Sequence, residues 1–441
     1  MHTQSKVLTL IFVIGICVSI QSVCVSDGDW ICSHSDPISF STVPGVPTRT
    51  NLADFNSDGF DDIVFARSSV MSIVFSNGDG TFSGITSYVL PSTISSMTVA
   101  DVNGDGSEDV LATVSGFTLD ELAVLINNGD GSFADEVTYV VGSPDGESTP
   151  RCVVTCDFDG DNNLDVAVAN ESSPEFGDVS VLRNLGDGTF APQVRFQTAQ
   201  SPRCLVPLDI DSDGDLDLAV SMFGNNSSVR RLLNNGIGGF FVQDFPYNVG
   251  GASTTAMRAG DINGDSATDV VVSYFNSSAL SMLVNDGTST FDPSLLFFDL
   301  GSSPADFIMT DLNGDSSPDL LVALSQVDEI VSFTNDGKGN FSEGTTFSTE
   351  DRPSSVAVGD LNGDGMQDIV TTNAGGVSLS IFLSQCFLIG DVNDDGCVNL
   401  LDVAPFTTLL ANGDFQIEAD INQDGSVDLL DVAAFIELLQ S

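Results

Sequence analysis

Positive charge is what this sequence most lacks: 12 Lys and Arg stand against 63 Asp and Glu in 441 residues, a formal charge of −51. Lys6 and Lys338 are the two lysines, and no basic stripe occurs, which argues against phosphate backbones and acidic membrane surfaces as partners. Histidine is equally scarce. Once a leader is removed only His34 remains, outside the repeats described below, so no Ser/His or Cys/His nucleophilic system can be assembled within them. No Gly-rich phosphate loop precedes a helical pattern. We nominate no catalytic residue and no organic cofactor. The acidic residues are interleaved with Val, Ile, Leu and Phe rather than gathered in tails, which excludes a disordered chain.

Long apolar runs are confined to the start. Lys6 is followed by an uncharged stretch from Val7 to Ile20, with small polar residues near Ser22 and Ser26, so residues 1–26 read as a cleaved export signal. The alternative is an uncleaved anchor, but Gln21 and Ser22 break the run before the ~20 residues a span needs. Cys17 and Cys24 would leave with the signal. Six cysteines remain, Cys32, Cys152, Cys156, Cys204, Cys386 and Cys397, and an exported chain meets an oxidising compartment.

What is present is a repeat. The pattern D-x-[DN]-x-D-x-x-x-D begins at Asp54, Asp101, Asp157, Asp209, Asp261, Asp311 and Asp360, at spacings of 47, 56, 52, 52, 50 and 49 residues. A period near 50 marks a repeat architecture. In each unit an apolar segment enters the acidic loop and a second leaves it, such as Asp109-Val110-Leu111-Ala112. A third run ends in a turn such as Asn184-Leu185-Gly186-Asp187-Gly188-Thr189-Phe190. Asn-Gly and Asp-Gly between β-branched runs signal hairpins. The central runs do not alternate, so both faces of each small sheet are expected to be buried.

Four-stranded sheets stacked around an axis satisfy these demands, which describes a β-propeller. The last repeat stops after its third strand, and the spare segment Ile38–Val43 can supply the missing outer strand. Cys32 and Cys386 flank that seam, which predicts a disulfide there. Cys152 and Cys204 occupy equivalent strands of neighbouring repeats and read as two buried thiols rather than a bridge.

The loops offer oxygen atoms at positions 1, 3, 5 and 9, with a backbone carbonyl from position 7. The first six supply Asp54, Asn56, Asp58 and Asp62; Asp101, Asn103, Asp105 and Asp109; Asp157, Asp159, Asp161 and Asp165; Asp209, Asp211, Asp213 and Asp217; Asp261, Asn263, Asp265 and Asp269; and Asp311, Asn313, Asp315 and Asp319. The seventh supplies Asp360, Asn362, Asp364 and Asp368. Hard oxygen ligands in this number suit Ca²⁺ better than Mg²⁺. Asp, Asn and Gly also favour metal-free turns, but seven loops in register, each with four oxygen side chains, favour the ion. Position 6 is expected to be left-handed. Ser266 and Ser316 stand there in the fifth and sixth loops, which are therefore expected to bind most weakly.

The loop with its flanking strands and Gly-Asp-Gly-Thr-Phe turn resembles the FG-GAP (VCBS-type) repeat of integrin α-subunit propellers. The resemblance implies a seven-bladed propeller with Ca²⁺ in hairpin loops on one face. The Phe-Gly-Gly-Ala-Pro wording of that motif is absent, so integrin-like partner recognition does not carry over.

From Asp391 the register of the acids changes. Asp391, Asn393, Asp395, Asn399 and Asp402 fall at positions 1, 3, 5, 9 and 12, and Asp420, Asn422, Asp424, Asp428 and Asp431 repeat them. Helical patterns follow each. Loop then helix, twice in about 50 residues, resembles the type I dockerin. That resemblance implies two further calcium sites, making up to nine, and a cohesin-like partner. Leu400, Leu401, Leu429 and Leu430 occupy the positions that help set partner choice in that family, or alternatively belong to its core.

The expected fold is thus mainly β: signal 1–26, a seven-bladed propeller over 27–386, and a small all-α EF-hand-like dockerin module over 387–441. The expected function is a secreted, calcium-binding, non-catalytic scaffold whose propeller recognises a glycan or protein. The alternatives are a polysaccharide-degrading lyase or hydrolase of a cellulosome-like assembly and a purely structural surface component.

Overall fold

The computed structural model describes residues 30–35, 37–41, 45–116, 120–143, 148–172, 177–198, 200–223, 228–243, 246–249, 253–275, 277–285, 291, 296–388, 405–406, 408–409, 419, 421 and 431–432. The residues read as an export signal, Cys397, Leu400, Leu401, Leu429 and Leu430 lie outside these residues, as do all the C-terminal candidate ligands except Asp431.

The chain divides into two compact units, one spanning 36–383. This first unit is a seven-bladed β-propeller. Blades 1 to 6 each run outward through strands in sequence order, blade 1 for example through Arg49–Ala53, Asp62–Arg67, Val70–Ser76 and Phe82–Val89. In blade 4 the outer edge is split between Phe241–Val242 and Tyr247–Asn248. Blade 7 consists of Pro353–Gly359, Asp368–Asn373 and Ser378–Phe382, and its outer strand is Ile38–Ser41, paired antiparallel with Ser378–Phe382. The two ends of the ring thus meet within one sheet, as the spare N-terminal segment required.

Seven first strands line the axis, each touching the next, and the last (Pro353–Gly359) touches the first (Arg49–Ala53). The second strands are buried on both faces. Asp62–Arg67, Asp269–Tyr274, Asp319–Leu324 and Asp368–Asn373 are buried throughout, which is why their sequences do not alternate.

The core is not one mass but seven apolar clusters, each shared by two adjacent blades. Val64, Ile73, Val110 and Leu125 join blades 1 and 2, and Ile63, Phe65, Val370 and Ile381 join blades 7 and 1. Turn phenylalanines act as wedges across these seams. Phe133 of blade 2 meets Phe55 and Tyr88 of blade 1 edge-on, and Phe240 of blade 4 meets Phe158 and Phe196 of blade 3. Burying each such ring contributes roughly 1.5–3 kcal/mol.

The second unit contains a two-stranded ribbon of Trp30–His34 and Ser384–Leu388. Its register sets Cys32 opposite Cys386. Opposed Cα atoms in an antiparallel pair stand ~4.5–5.5 Å apart, within the span a disulfide bridges. Residues 405–406, 408–409 and 431–432 are helical, and Phe406, Ala419 and Asp431 are buried. Among the described residues no helix is long and apolar enough to cross a membrane.

Candidate metal loops

All seven acidic loops join the first strand of a blade to the second. Because the first strands run in one direction around the axis, the loops lie at one end of the ring. Each loop is shaped by the carboxylates of its own sequence. The position 1 Asp accepts from the position 6 amide in every loop, at 2.7–3.1 Å: Asp54 from Gly59, Asp157 from Asn162, Asp261 from Ser266 and so on round the ring. The position 5 Asp accepts from the position 7 amide at 2.8–3.0 Å in all seven.

Those amides converge only if the backbone turns left-handed. Position 6 has φ of 93° at Gly59, 69° at Asn162, and 70° at both Ser266 and Ser316, so the expected strain at the two serines is present. Sequence reasoning missed that position 4 is left-handed too. It is Gly in five loops but Ser57 (φ 60°) in the first and Ser212 (φ 60°) in the fourth. Only the second and seventh loops have Gly at both positions, Gly104 with Gly106 and Gly363 with Gly365.

Position 9 behaves differently from the others. Asp62, Asp109, Asp165, Asp217, Asp269, Asp319 and Asp368 are all buried. In each, Oδ2 accepts from the position 2 amide at 2.8–3.1 Å. In the first six, Oδ1 accepts from an amide at the end of the third strand, at 2.6–2.9 Å. This carboxylate locks the loop to its blade. Burial pushes Asp62 up to about 7 and Asp109, Asp165, Asp217 and Asp269 up to about 6, against the amides that favour the charged form. Neighbouring carboxylates push the same way, Asp58 and Asp54 in the first loop. A cation would reverse that preference.

A second kind of residue, the Asn at the end of the third strand, ties four of the loops to the preceding blade. Asn127, Asn184, Asn234 and Asn335 donate from Nδ2 to Phe55, Val102, Phe158 and Ile262, the position 2 carbonyls of the preceding loops, at 2.7–2.9 Å. The same Nδ2 reaches the position 8 carbonyl of its own loop at 3.0–3.2 Å. In blade 1, Ser76 donates to the Leu361 carbonyl of blade 7 and carries the stitch across the ring closure. The recurrence of Asn before each Gly-rich turn was the available signal; its role across the seam was not legible.

The loops are not equal. In the third, carboxylate oxygens of Asp157, Asp159 and Asp161 lie within 4.8 Å of one another, and in the fourth those of Asp209, Asp211 and Asp217 do so. Among the described residues three buried oxygens there, Oδ1 of Asp159, Asp209 and Asp211, have no hydrogen-bond donor, while Oδ2 of Asp159 faces Arg183 at 3.8 Å. Burial and the adjacent carboxylates raise the pKa of Asp159 and of Asp211. Packed carboxylate oxygens without donors are costly unless a cation compensates them, and an all-oxygen donor set fits Ca²⁺. The residues therefore fit the ion. The other five loops have Asn at position 3, and its Oδ1 accepts from the position 5 amide, as Asn56 does from Asp58 at 2.9 Å.

Beside these loops, Cys152, Cys156 and Cys204 are free thiols. Cys152 and Cys204 are packed in the inner wall, where burial raises the pKa of both, Cys204 to about 12.

A profile of the FG-GAP-like repeat matches six windows, 54–112, 101–168, 157–220, 209–272, 261–322 and 311–371, together well over half of the chain. The chain belongs to this repeat family. Each window runs from position 1 of one loop into the second strand of the next blade, so the matched unit straddles a seam. A profile of the type I dockerin domain matches 389–440. Dockerin domains bind calcium and dock to cohesins. No curated protein matches the chain. Among solved structures, one described as BBS1N in complex with ARL6DN, soaked with lead, is 10% identical with a TM-score of 0.55. The match covers 79% of this chain and 98% of that one, and it shows a shared fold. An Agrocybe aegerita lectin, described as specifically recognising non-reducing terminal N-acetylglucosamine, is 20% identical with a TM-score of 0.49, covering 78% of this chain and 86% of that one.

Proposed function

We propose that this chain is a secreted, calcium-binding, non-catalytic scaffold. Its propeller recognises a glycan or protein, and its C-terminal module docks to a cohesin-like partner when calcium is bound. The observation that carries this reading is the joining of an FG-GAP-like ring to a type I dockerin on one chain, modules typical of extracellular proteins.

On this reading calcium occupies up to nine sites. Seven are the propeller loops, each held by the side chains at positions 1, 3, 5 and 9. The other two are the C-terminal loops, where Asp431, buried and helical, would close the second site from position 12. Calcium supplies charge compensation there. The chain's own amides hold the carboxylates in place before the ion arrives, so binding orders little backbone.

A pull-down with immobilised cohesin domains tests the reading, comparing the whole chain with one truncated after Gln385, in calcium and in chelator. Capture of the whole chain in calcium only, and of the truncated chain in neither, is expected. Equal capture of both forms would contradict the docking role. Release of reducing ends or unsaturated products from polysaccharides would contradict the non-catalytic one.

A further inference from the structure

We propose that the end of the propeller channel opposite the acidic loops is a binding site for an anionic saccharide, a sugar unit bearing a carboxylate or sulfate. The proposal rests on the scaffold reading and names the ligand class of its propeller.

The channel encloses a cavity of about 550 Å³, in the range of small-ligand sites. In a chain with so few cations, three arginines line it: Arg49, Arg151 and Arg258, all from first strands. Arg258 is neutralised by Asp306 at 2.9 Å and Arg151 pairs with Glu171. Arg49 has no such compensation. Among the described residues no carboxylate pairs with it, and it donates to the Thr48 carbonyl at 3.0 Å. Arg203, also without a carboxylate partner among the described residues, stacks over the Phe223 ring at 5.0 Å. With 63 acidic residues available, two uncompensated guanidinium groups on the inner strands are free to serve a ligand.

The backbone supports the same placement. Six of the seven first strands carry a register shift near their start, and in blades 3 and 4 it falls between Pro150 and Cys152 and between Pro202 and Cys204. The inserted residues there are Arg151 and Arg203. Bulges re-aim side chains, commonly beside binding sites. Arg49 and Arg258 line the cavity together with Cys152 and Cys204, and Arg203 directly precedes Cys204 in its strand.

Aromatic surface lies at the same end. Phe223 and Phe275 close the second strands of adjacent blades 4 and 5 and are 39% and 59% exposed. A guanidinium fork takes a carboxylate or sulfate in two parallel hydrogen bonds, and an exposed phenyl face takes the C–H face of a pyranose. An anion is accepted here and repelled at the acidic loop end.

The test is calorimetric titration of the calcium-loaded full chain with trigalacturonate, with its neutral galactose counterpart, and with a triglutamate peptide. Trigalacturonate is expected to bind and the neutral sugar to bind at least 10-fold more weakly. Arg203→Gln and Arg49→Gln are each expected to weaken trigalacturonate about 10-fold, and Phe223→Ala to weaken it several-fold. Unchanged melting temperatures would show the variants folded, and Arg203→Lys would restore part of the affinity. Equal binding of charged and neutral sugars, indifference to both arginine substitutions, or preference for the peptide would overturn the assignment. Capture by cohesin is read separately, so its loss would count against the scaffold reading and not against this site.

Discussion

The third and fourth loops differ from the other five by one atom type at position 3, carboxylate oxygen in place of carboxamide, and the consequences spread through the site. Asp159 and Asp211 bring a fourth negative charge and leave buried oxygens without donors. Asn56, Asn103, Asn263, Asn313 and Asn362 satisfy the loop from within, each accepting from the position 5 amide. The same backbone thus carries two electrostatic designs. One is self-satisfied and tolerates an empty site; the other is strained until a cation arrives.

The largest expected effect comes from removing the residue that serves both designs. Asp217→Ala strands two buried amides, those of Ile210 and Asn234, and deletes a member of the fourth cluster. A loss of about 3–5 kcal/mol is expected, read by urea unfolding in calcium. A loss below about 1 kcal/mol would show that position 9 is not the lock.

Next in size is Asn184→Ala, which cuts the stitch between the third blade and the Val102 carbonyl of the second loop. About 2 kcal/mol should be lost, and equally in calcium and in chelator, because the bond belongs to the architecture. An effect seen only in calcium would place the stitch in the metal site instead.

Asp159→Asn sharpens the comparison by its sign. It converts the third loop to the self-satisfied type, so in chelator the ring should gain up to roughly 1 kcal/mol by losing a charge whose Oδ1 has no donor and which Arg183 offsets only at 3.8 Å. In calcium it should lose a similar amount. The paired control, Asn103→Asp, should do the reverse. Parallel shifts in both conditions would remove the distinction between the loops.

The smallest effect is expected from relieving backbone strain. Ser266→Gly and Ser57→Gly replace residues held at φ of 70° and 60° and should each raise stability by up to about 1 kcal/mol. Calcium affinity of those loops should rise with it. Four loops carry such serines, the first and fourth at position 4 and the fifth and sixth at position 6.

Much of this was legible from the sequence, for reasons that differ by residue. The ring could be read because its period, its Asp-Gly turns and its non-alternating second strands are local patterns with one economical solution. Ile38–Ser41 could be assigned to the last blade because that blade was one strand short. Position 4 was not read as left-handed, since Ser57 and Ser212 look unremarkable where five other loops have glycine. The stitches made by Asn127 and its equivalents were hidden because a contact between adjacent blades leaves no spacing signal within one repeat. The shared placement of Arg49 and Arg203 near the starts of first strands was hidden for the same reason: they are distant in sequence and belong to different blades.

The central claim is that the carboxylates of the propeller loops are compensated by calcium. The direct measurement is the thermal unfolding of the full chain in millimolar calcium and in excess chelator. At ten times Kd each filled site contributes ~1.4 kcal/mol, so several sites together should lower the melting temperature by more than about 10 °C on chelation. A melting temperature unchanged by the chelator would contradict the account.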